Sequence, residues 1–178
     1  SEVDRVLEEI RKLNEDLNRR VDDATRKIRD LNRKLNEDVK KVTEDIKKLN
    51  EDLRKDNKKE LVREVLKRTR DLIRELEKIV TDVLRTTEEV IKRLEREVEK
   101  VLRDTRELAR DLLRKRKDDE EVKRKLEKLV RESERNVREV KKKLDEVRKE
   151  SKTNADKVRE ELKRVVEESE RTVRELEK

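Results

Sequence analysis

The sequence predicts an all-α protein, an elongated up-down-up bundle of three antiparallel, nearly straight helices. Three observations predict it: an 18-residue repeat over all 178 residues, a complete absence of Gly and Pro, and two polar interruptions of an otherwise continuous apolar stripe. Eighteen residues make five turns of an α-helix at 3.6 residues per turn, so each repeat returns to the same face. Because a period of 3.6 does not drift around a straight helix, the pattern predicts little supercoiling.

In the first third, Asn14, Leu17, Asn18, Val21, Thr25, Ile28 and Leu31 recur as Asn32, Leu35, Asn36, Val39, Thr43, Ile46 and Leu49. The stripe from Ile10 through Leu13, Leu17, Val21, Ala24, Ile28, Leu31 and onward to Leu53 advances by steps of 3 and 4, as one face of a helix does. Pairs of opposite charge four apart, such as Glu15 with Arg19, Asp16 with Arg20, Asp23 with Lys27, Asp30 with Lys34 and Glu44 with Lys48, each favour helix by about 0.2 to 0.5 kcal/mol. The middle third repeats Leu66, Thr69, Ile73, Leu76 as Leu84, Thr87, Ile91, Leu94 and then as Leu102, Thr105, Ala109, Leu112. The last third repeats Ser133, Asn136, Val137, Val140 as Ser151, Asn154, Ala155, Val158 and then as Ser169, Thr172, Val173, Leu176.

The interruptions, Arg54 to Glu60 and Arg114 to Glu121, read as turns. Each holds an N-cap signature, Asn57 with Glu60 and Asp118 with Glu121, and Ser1 stands in the same relation to Asp4. Asn57 also tolerates the left-handed conformation that follows many helices. The expected elements are therefore helix 1 over about 2–55, helix 2 over about 58–116 and helix 3 over about 119–177, in one domain spanning 1–178. Each helix should be about 80 to 90 Å long.

Only eleven residue types occur, with no Gly, Pro, Cys, Met, His, Gln, Trp, Tyr or Phe. Without His or Cys there is neither the usual neutral-pH acid/base group nor a ligand set for zinc, iron or copper. Without Gly there is no phosphate-cradling loop, and without aromatics no platform for stacked bases. The Asp and Glu residues alternate with bases on helix surfaces, with no oxygen-rich loop for Ca²⁺ or Mg²⁺. The expectation is no enzyme activity, no cofactor and no metal. Fifty-six basic and 49 acidic residues leave a net +7, but the bases are interleaved with acids and form no clean stripe, so specific nucleic-acid binding is not expected. The longest apolar run is two residues, so a soluble chain with no membrane span and no targeting signal is expected.

Some positions inside the stripes are polar, and folding the chain at its turns brings them to common levels. Thr43, Thr69 and Ser169 fall at one height, Thr25, Thr87 and Ser151 at the next, and Thr105 and Ser133 at a third, where helix 1 has Leu7. A second series pairs Asn14 with Asn136, Asn32 with Asn154 and Asn50 with Thr172. As buried hydrogen-bond networks these residues would specify register, because a shifted arrangement strands unpaired polar groups at about 1 to 3 kcal/mol each. Alternatively the hydroxyls bond back to carbonyls of their own helix and the Asn residues sit at a wet boundary. Helix 2 carries a wider apolar face through Leu66, Ile73, Leu84, Ile91, Leu102, Ala109 and Leu113. That face is either wedged between helices 1 and 3 or partly exposed for a homo-oligomer or a helical partner.

The eleven-letter alphabet, the 18-residue register, the short turns and the repeated polar layers together resemble computationally designed, untwisted parametric three-helix bundles with buried hydrogen-bond networks. The resemblance covers the whole chain. It implies a synthetic scaffold or assembly module without catalytic activity, needing no partner and having no natural localisation.

Overall fold

The computed structural model describes all residues from Ser1 to Lys178. It contains three helices: α1 (Glu2–Lys55), α2 (Val62–Lys115) and α3 (Glu120–Glu177). They pack as an up-down-up three-helix bundle with no strand.

The helix starts and stops follow from local hydrogen bonding. Ser1 Oγ accepts from the Asp4 amide at 3.3 Å, and its carbonyl accepts from the Arg5 amide, so the first turn of α1 opens as its capping signature predicts. At the other end the Lys58 amide donates to the Leu53 carbonyl (3.1 Å) and the Asn57 amide to the Arg54 carbonyl (3.4 Å), with Asn57 at φ 51°. This is a Schellman close, with Asn in the left-handed position that Gly usually takes. Asn57 is thereby spent on ending α1 and cannot cap α2. Helix α2 accordingly begins at Val62 rather than near 58, and its first carbonyl acceptor is Leu61, which takes the Val65 amide at 2.9 Å. The second cap moves by one residue. Asp119 rather than Asp118 accepts from the backbone three residues on, from the Val122 amide to Oδ1 at 3.2 Å.

Apart from Glu8 with Arg11, three residues apart at 3.8 Å, ion pairs along the helices separate by side-chain length. Asp16, Asp23 and Asp30 bind Arg19, Arg26 and Arg33, three residues on rather than the expected four. The pairs at four residues, Arg33 with Glu37, Arg68 with Glu64 and Lys125 with Glu121, all use Glu, whose extra methylene spans the longer gap. Such exposed pairs each contribute little, in the range of about 0 to 1 kcal/mol.

The chain divides into two compact units. The first comprises Ser1–Lys27 and Glu88–Arg148. Its core gathers Val6, Leu7 and Ile10 of α1, Ala109 and Leu112 of α2, and Val122, Leu126 and Leu129 of α3. Within it α1 and α2 run antiparallel, as Glu2 pairs with Lys115 and Arg20 with Glu97. Helices α2 and α3 are also antiparallel there, since Arg106 meets Glu134 and Glu99 meets Lys141. The second unit comprises Ile28–Thr87 and Lys149–Lys178. Leu35, Val39 and Ile46 pack there with Ile73, Leu76, Val80 and Val83, and with Ala155, Val158, Leu162 and Val165. Around the first turn Leu53, Val62 and Leu176 close a smaller cluster. Each fully buried Leu, Ile or Val contributes roughly 1.5 to 3 kcal/mol, which is what holds these charged helices together.

The stripe of α1 is not uniformly inside. Leu31 and Leu49 are exposed, because they sit about 60° from the buried column of Ile28 and Ile46 at 100° per residue.

Candidate functional site

The residues that break the apolar pattern are the candidates for function. Three equivalent polar clusters connect α1 with α3. In the first unit Ser133 Oγ donates to Asn14 Oδ1 at 2.9 Å and Asn136 Nδ2 donates to the same oxygen at 3.3 Å, while Asn14 Nδ2 donates to the Ile10 carbonyl. In the second unit Asn32 Nδ2 donates to Ser151 Oγ (3.1 Å) and to the Ile28 carbonyl (3.0 Å), and Asn154 Nδ2 donates to Asn32 Oδ1 at 3.2 Å. Eighteen residues on, Asn50 Nδ2 donates to Ser169 Oγ at 3.0 Å in a fully buried bond. The Asn and Ser series, placed at separate levels from the sequence, thus meet in one cluster per repeat. Asn50 bonds Ser169 rather than Thr172, whose hydroxyl donates to its own Glu168 carbonyl.

The threonines take other routes. Thr25 and Thr43 are buried and donate to the carbonyls of Asp22 and Lys40, and Thr43 also lies 3.3 Å from Glu161 Oε1. Thr69, Thr87 and Thr105, all on α2, are buried, and none bonds to another helix. The hydroxyl oxygens of Thr87 and Thr105 have no partner at all. The hydrogen-bonded Asn and Ser clusters therefore belong to the parallel pair α1 and α3, and no threonine of α2 joins them.

The wide face of α2 is turned inward. Ile73, Ile91 and Leu102 are buried, Leu66, Leu84 and Leu113 are half-buried, and Leu84 and Leu113 pack against the two cores. Leu66, Leu84 and Leu113 keep part of their surface open to solvent along it.

One polar feature escapes the pattern reading. Arg148 on α3 occupies the phase held by Val130 and Val166 one repeat before and after. Its guanidinium binds Glu88 (3.1 Å), Glu95 (2.5 Å) and Asp145 (3.2 Å), with only 21% of the side chain exposed. A charged residue in a valine column is a signal that the sequence does carry.

Chemically these groups are static. The hydrogen bond and charge of Lys115 hold the Glu2 carboxyl below its ordinary range, and those of Lys141 do the same for Glu99. Hydrogen bonds that they donate to Glu177 and Glu88 push the Arg63 and Arg148 guanidiniums further up. All four shifts run away from neutrality, the opposite of what general acid/base work needs. No group of three or more Asp or Glu is placed to hold a metal ion, and no helix is long and apolar enough to cross a membrane.

No protein-family model matches the sequence, and no curated protein matches it. Among solved structures, one described as a computationally designed three helix bundle superposes on 99% of this chain and 92% of its own, with a TM-score of 0.65 and 18% identity. That likeness shows the fold, a three-helix bundle.

Proposed function

We propose that this protein is a designed structural scaffold with no natural biochemical activity, and that its polar clusters specify how α1 and α3 align. The observation that carries this reading is an Asn–Ser hydrogen bond at the same sequence offset in three successive repeats, with Ser133 donating to Asn14 in the first, and Asn32 and Asn50 donating to Ser151 and Ser169 in the others. A feature repeated every 18 residues suits a role in the fold, because a slip strands the buried Asn50 and the buried serines at about 1 to 3 kcal/mol each, and the half-buried Asn14 and Asn32 at less. The eleven-letter alphabet and the likeness to a designed bundle support an artificial origin, and the lack of any catalytic constellation supports a non-enzymatic role.

The test replaces Asn14, Asn32 and Asn50 by Leu and Ser133, Ser151 and Ser169 by Ala. Spin labels on exposed positions of α1 and α3 then report their separation. The expected result is retained or higher thermal stability with a broadened or multimodal distance distribution. A single narrow distance, unchanged from the parent, overturns the register role.

A further inference from the structure

All five large apolar side chains that are exposed, namely Leu31, Leu49, Leu61, Leu72 and Ile79, lie in the second compact unit. The repeat shows that they share one seam. In the first unit the seam between α1 and α2 is sealed by ion pairs, Arg20 to Glu97 at 3.5 Å and Glu2 to Lys115 at 2.9 Å. One repeat further along α1, the position of Arg20 is taken by Asp38. One and two repeats back along α2, the position of Glu97 is taken by Ile79, 48% exposed, and Leu61. Leu72, 11 residues past Leu61, returns to within about 20° of that column. Leu31 and Leu49 lie 11 residues past Arg20 and Asp38, about 20° further toward the core. Where one unit closes this seam with charge, the other lines it with Leu and Ile.

The pairing that sets Arg20 level with Glu97 sets Ile79 level with Asp38 and Leu72 with Asp45. The side chains then follow one another as Leu31, Ile79, Leu72 and Leu49 over about 27 Å, at intervals of about one or two helical turns, with Leu61 in the turn just beyond, before α2 begins. That spacing suits the anchor side chains of one amphipathic helix laid along the groove.

The rim selects the partner. On α1 the column beside the apolar stripe is Asp38, Asp45 and Asp52, all exposed and none in an ion pair. On α2, Glu75 is likewise exposed and unpaired, while Arg68 is already bound by Glu64 at 3.1 Å. Lys34 adds a base only near the Leu31 end. The rim is acidic in a chain whose net charge is +7. A second copy laid antiparallel would set one Asp column against another. We infer that the α1/α2 seam of the second unit, on the opposite flank of α2 from its wide inner face, is a docking groove for a basic amphipathic helix. Its leucine stripe seats on Leu31, Leu49, Leu61, Leu72 and Ile79, and its flanking Lys or Arg meet Asp38, Asp45 and Asp52. The inference does not rest on the scaffold reading, since the polar clusters lie on the other side of α1.

The probe is a synthetic peptide of about 28 residues with Leu at heptad spacing and Lys on either side, its binding followed by fluorescence anisotropy on the intact protein. The expected affinity is about micromolar, weakened at least about tenfold by Ile79→Glu, which introduces the residue found at position 97, and weakened also by Asp45→Lys. Circular dichroism checks that Ile79→Glu keeps its helices, and Leu49→Gln gives the same readout if it does not. The inference is overturned by absence of binding, by equal binding of a peptide with Glu in place of Lys, or by binding indifferent to these substitutions. A protein mass that doubles with concentration and reverts with Ile79→Glu also overturns it, making a second copy the occupant.

Discussion

Arg148 Nε on α3 donates to Glu88 Oε2 on α2 at 3.1 Å, and the same guanidinium reaches Glu95 at 2.5 Å. The equivalent place one repeat away is apolar: Val130 stands for Arg148 and Leu113 for Glu95, and both pack against the core of the same unit. A three-layer system with an 18-residue period has identical contacts after a slip of 18, so the Asn and Ser clusters specify alignment only within one repeat. Arg148 and its carboxylates occur once. A slip of one repeat would set Arg148 opposite Leu113 or Glu77, and Glu95 opposite a valine, which makes this cluster a unique mark along the bundle.

Arg148→Ala is expected to destabilise by about 1 to 3 kcal/mol, because Glu88 and Glu95 are left partly buried beside each other without their cation. The double change Arg148→Val with Glu95→Leu, which copies the Val130 and Leu113 pair, should be neutral or stabilising. Denaturant melts of the three proteins check the order. An Arg148→Ala midpoint equal to the parent would mean the cluster is held too loosely to matter.

The threonines of α2 make a second case. Thr105 is fully buried and its hydroxyl, like that of Thr87, has no partner. Replacing either by Val removes an unsatisfied oxygen at nearly constant volume, with an expected gain of about 1 kcal/mol each in thermal or urea melts. Thr25→Val, which removes a bond to the Asp22 carbonyl, should gain less. Equal or opposite effects would show that the α2 hydroxyls are bonded in solution.

The helices and their inward faces were legible in the sequence because 18 residues close on five turns, so Ile10, Ile28 and Ile46 could only lie on one side. The polar pairing was less so. Asn14 bonds both Ser133 and Asn136, and Asn50 bonds Ser169 rather than Thr172; these alternatives are one turn apart on α3, within the uncertainty of where each turn folds back. Asn57 illustrates why. An Asn followed by Glu at three residues serves as an N-cap, and an Asn after a helix serves as a left-handed stop, with the same local chemistry. The packing of Leu53, Val62 and Leu176 at that end of the chain goes with the stop. Arg148 and Ile79 needed a comparison of each position with its counterparts 18 away, where a charge replaces Val and an Ile replaces a charge.

Asn57 at φ 51° gives a backbone test. Asn57→Gly is expected to preserve or raise stability by up to about 1 kcal/mol, since Gly reaches this conformation without a Cβ clash. Asn57→Val should lower it by about 1 to 2 kcal/mol, because a β-branched residue is poorly accommodated there. Thermal melts of both variants separate the left-handed stop from the N-cap role. An N-cap would instead lose only a few tenths of a kcal/mol with Gly and show no special penalty for Val over Ala.

The pH response follows from the carboxyls that gain a cation on folding. Glu99 lies 2.7 Å from Lys141, and that hydrogen bond, with the lysine charge, holds its folded-state pKa below the ordinary 4.5. Glu2 is lowered in the same way by Lys115. In the window below 4.5 the unfolded chain binds more protons than the folded one, so stability rises with pH there; the contribution is complete above the unfolded value and is lost as pH falls through the folded one. Arg63 and Arg148, pushed further up by their carboxylate partners, hold their contribution throughout the neutral range. The thermal midpoint should therefore be flat near neutrality and fall below about pH 4.5. Glu99 and Lys141 are each about half exposed, so solvent screening leaves the pair no more than about 0.5 kcal/mol, or about 1 to 2 °C in a chain of this length. Glu99→Gln should melt slightly below the parent at pH 7, the gap narrowing as pH falls to 3, and about 1 M salt should remove the difference. A gap of the same size at both pH values would assign the effect of Glu99 to packing rather than to its charge.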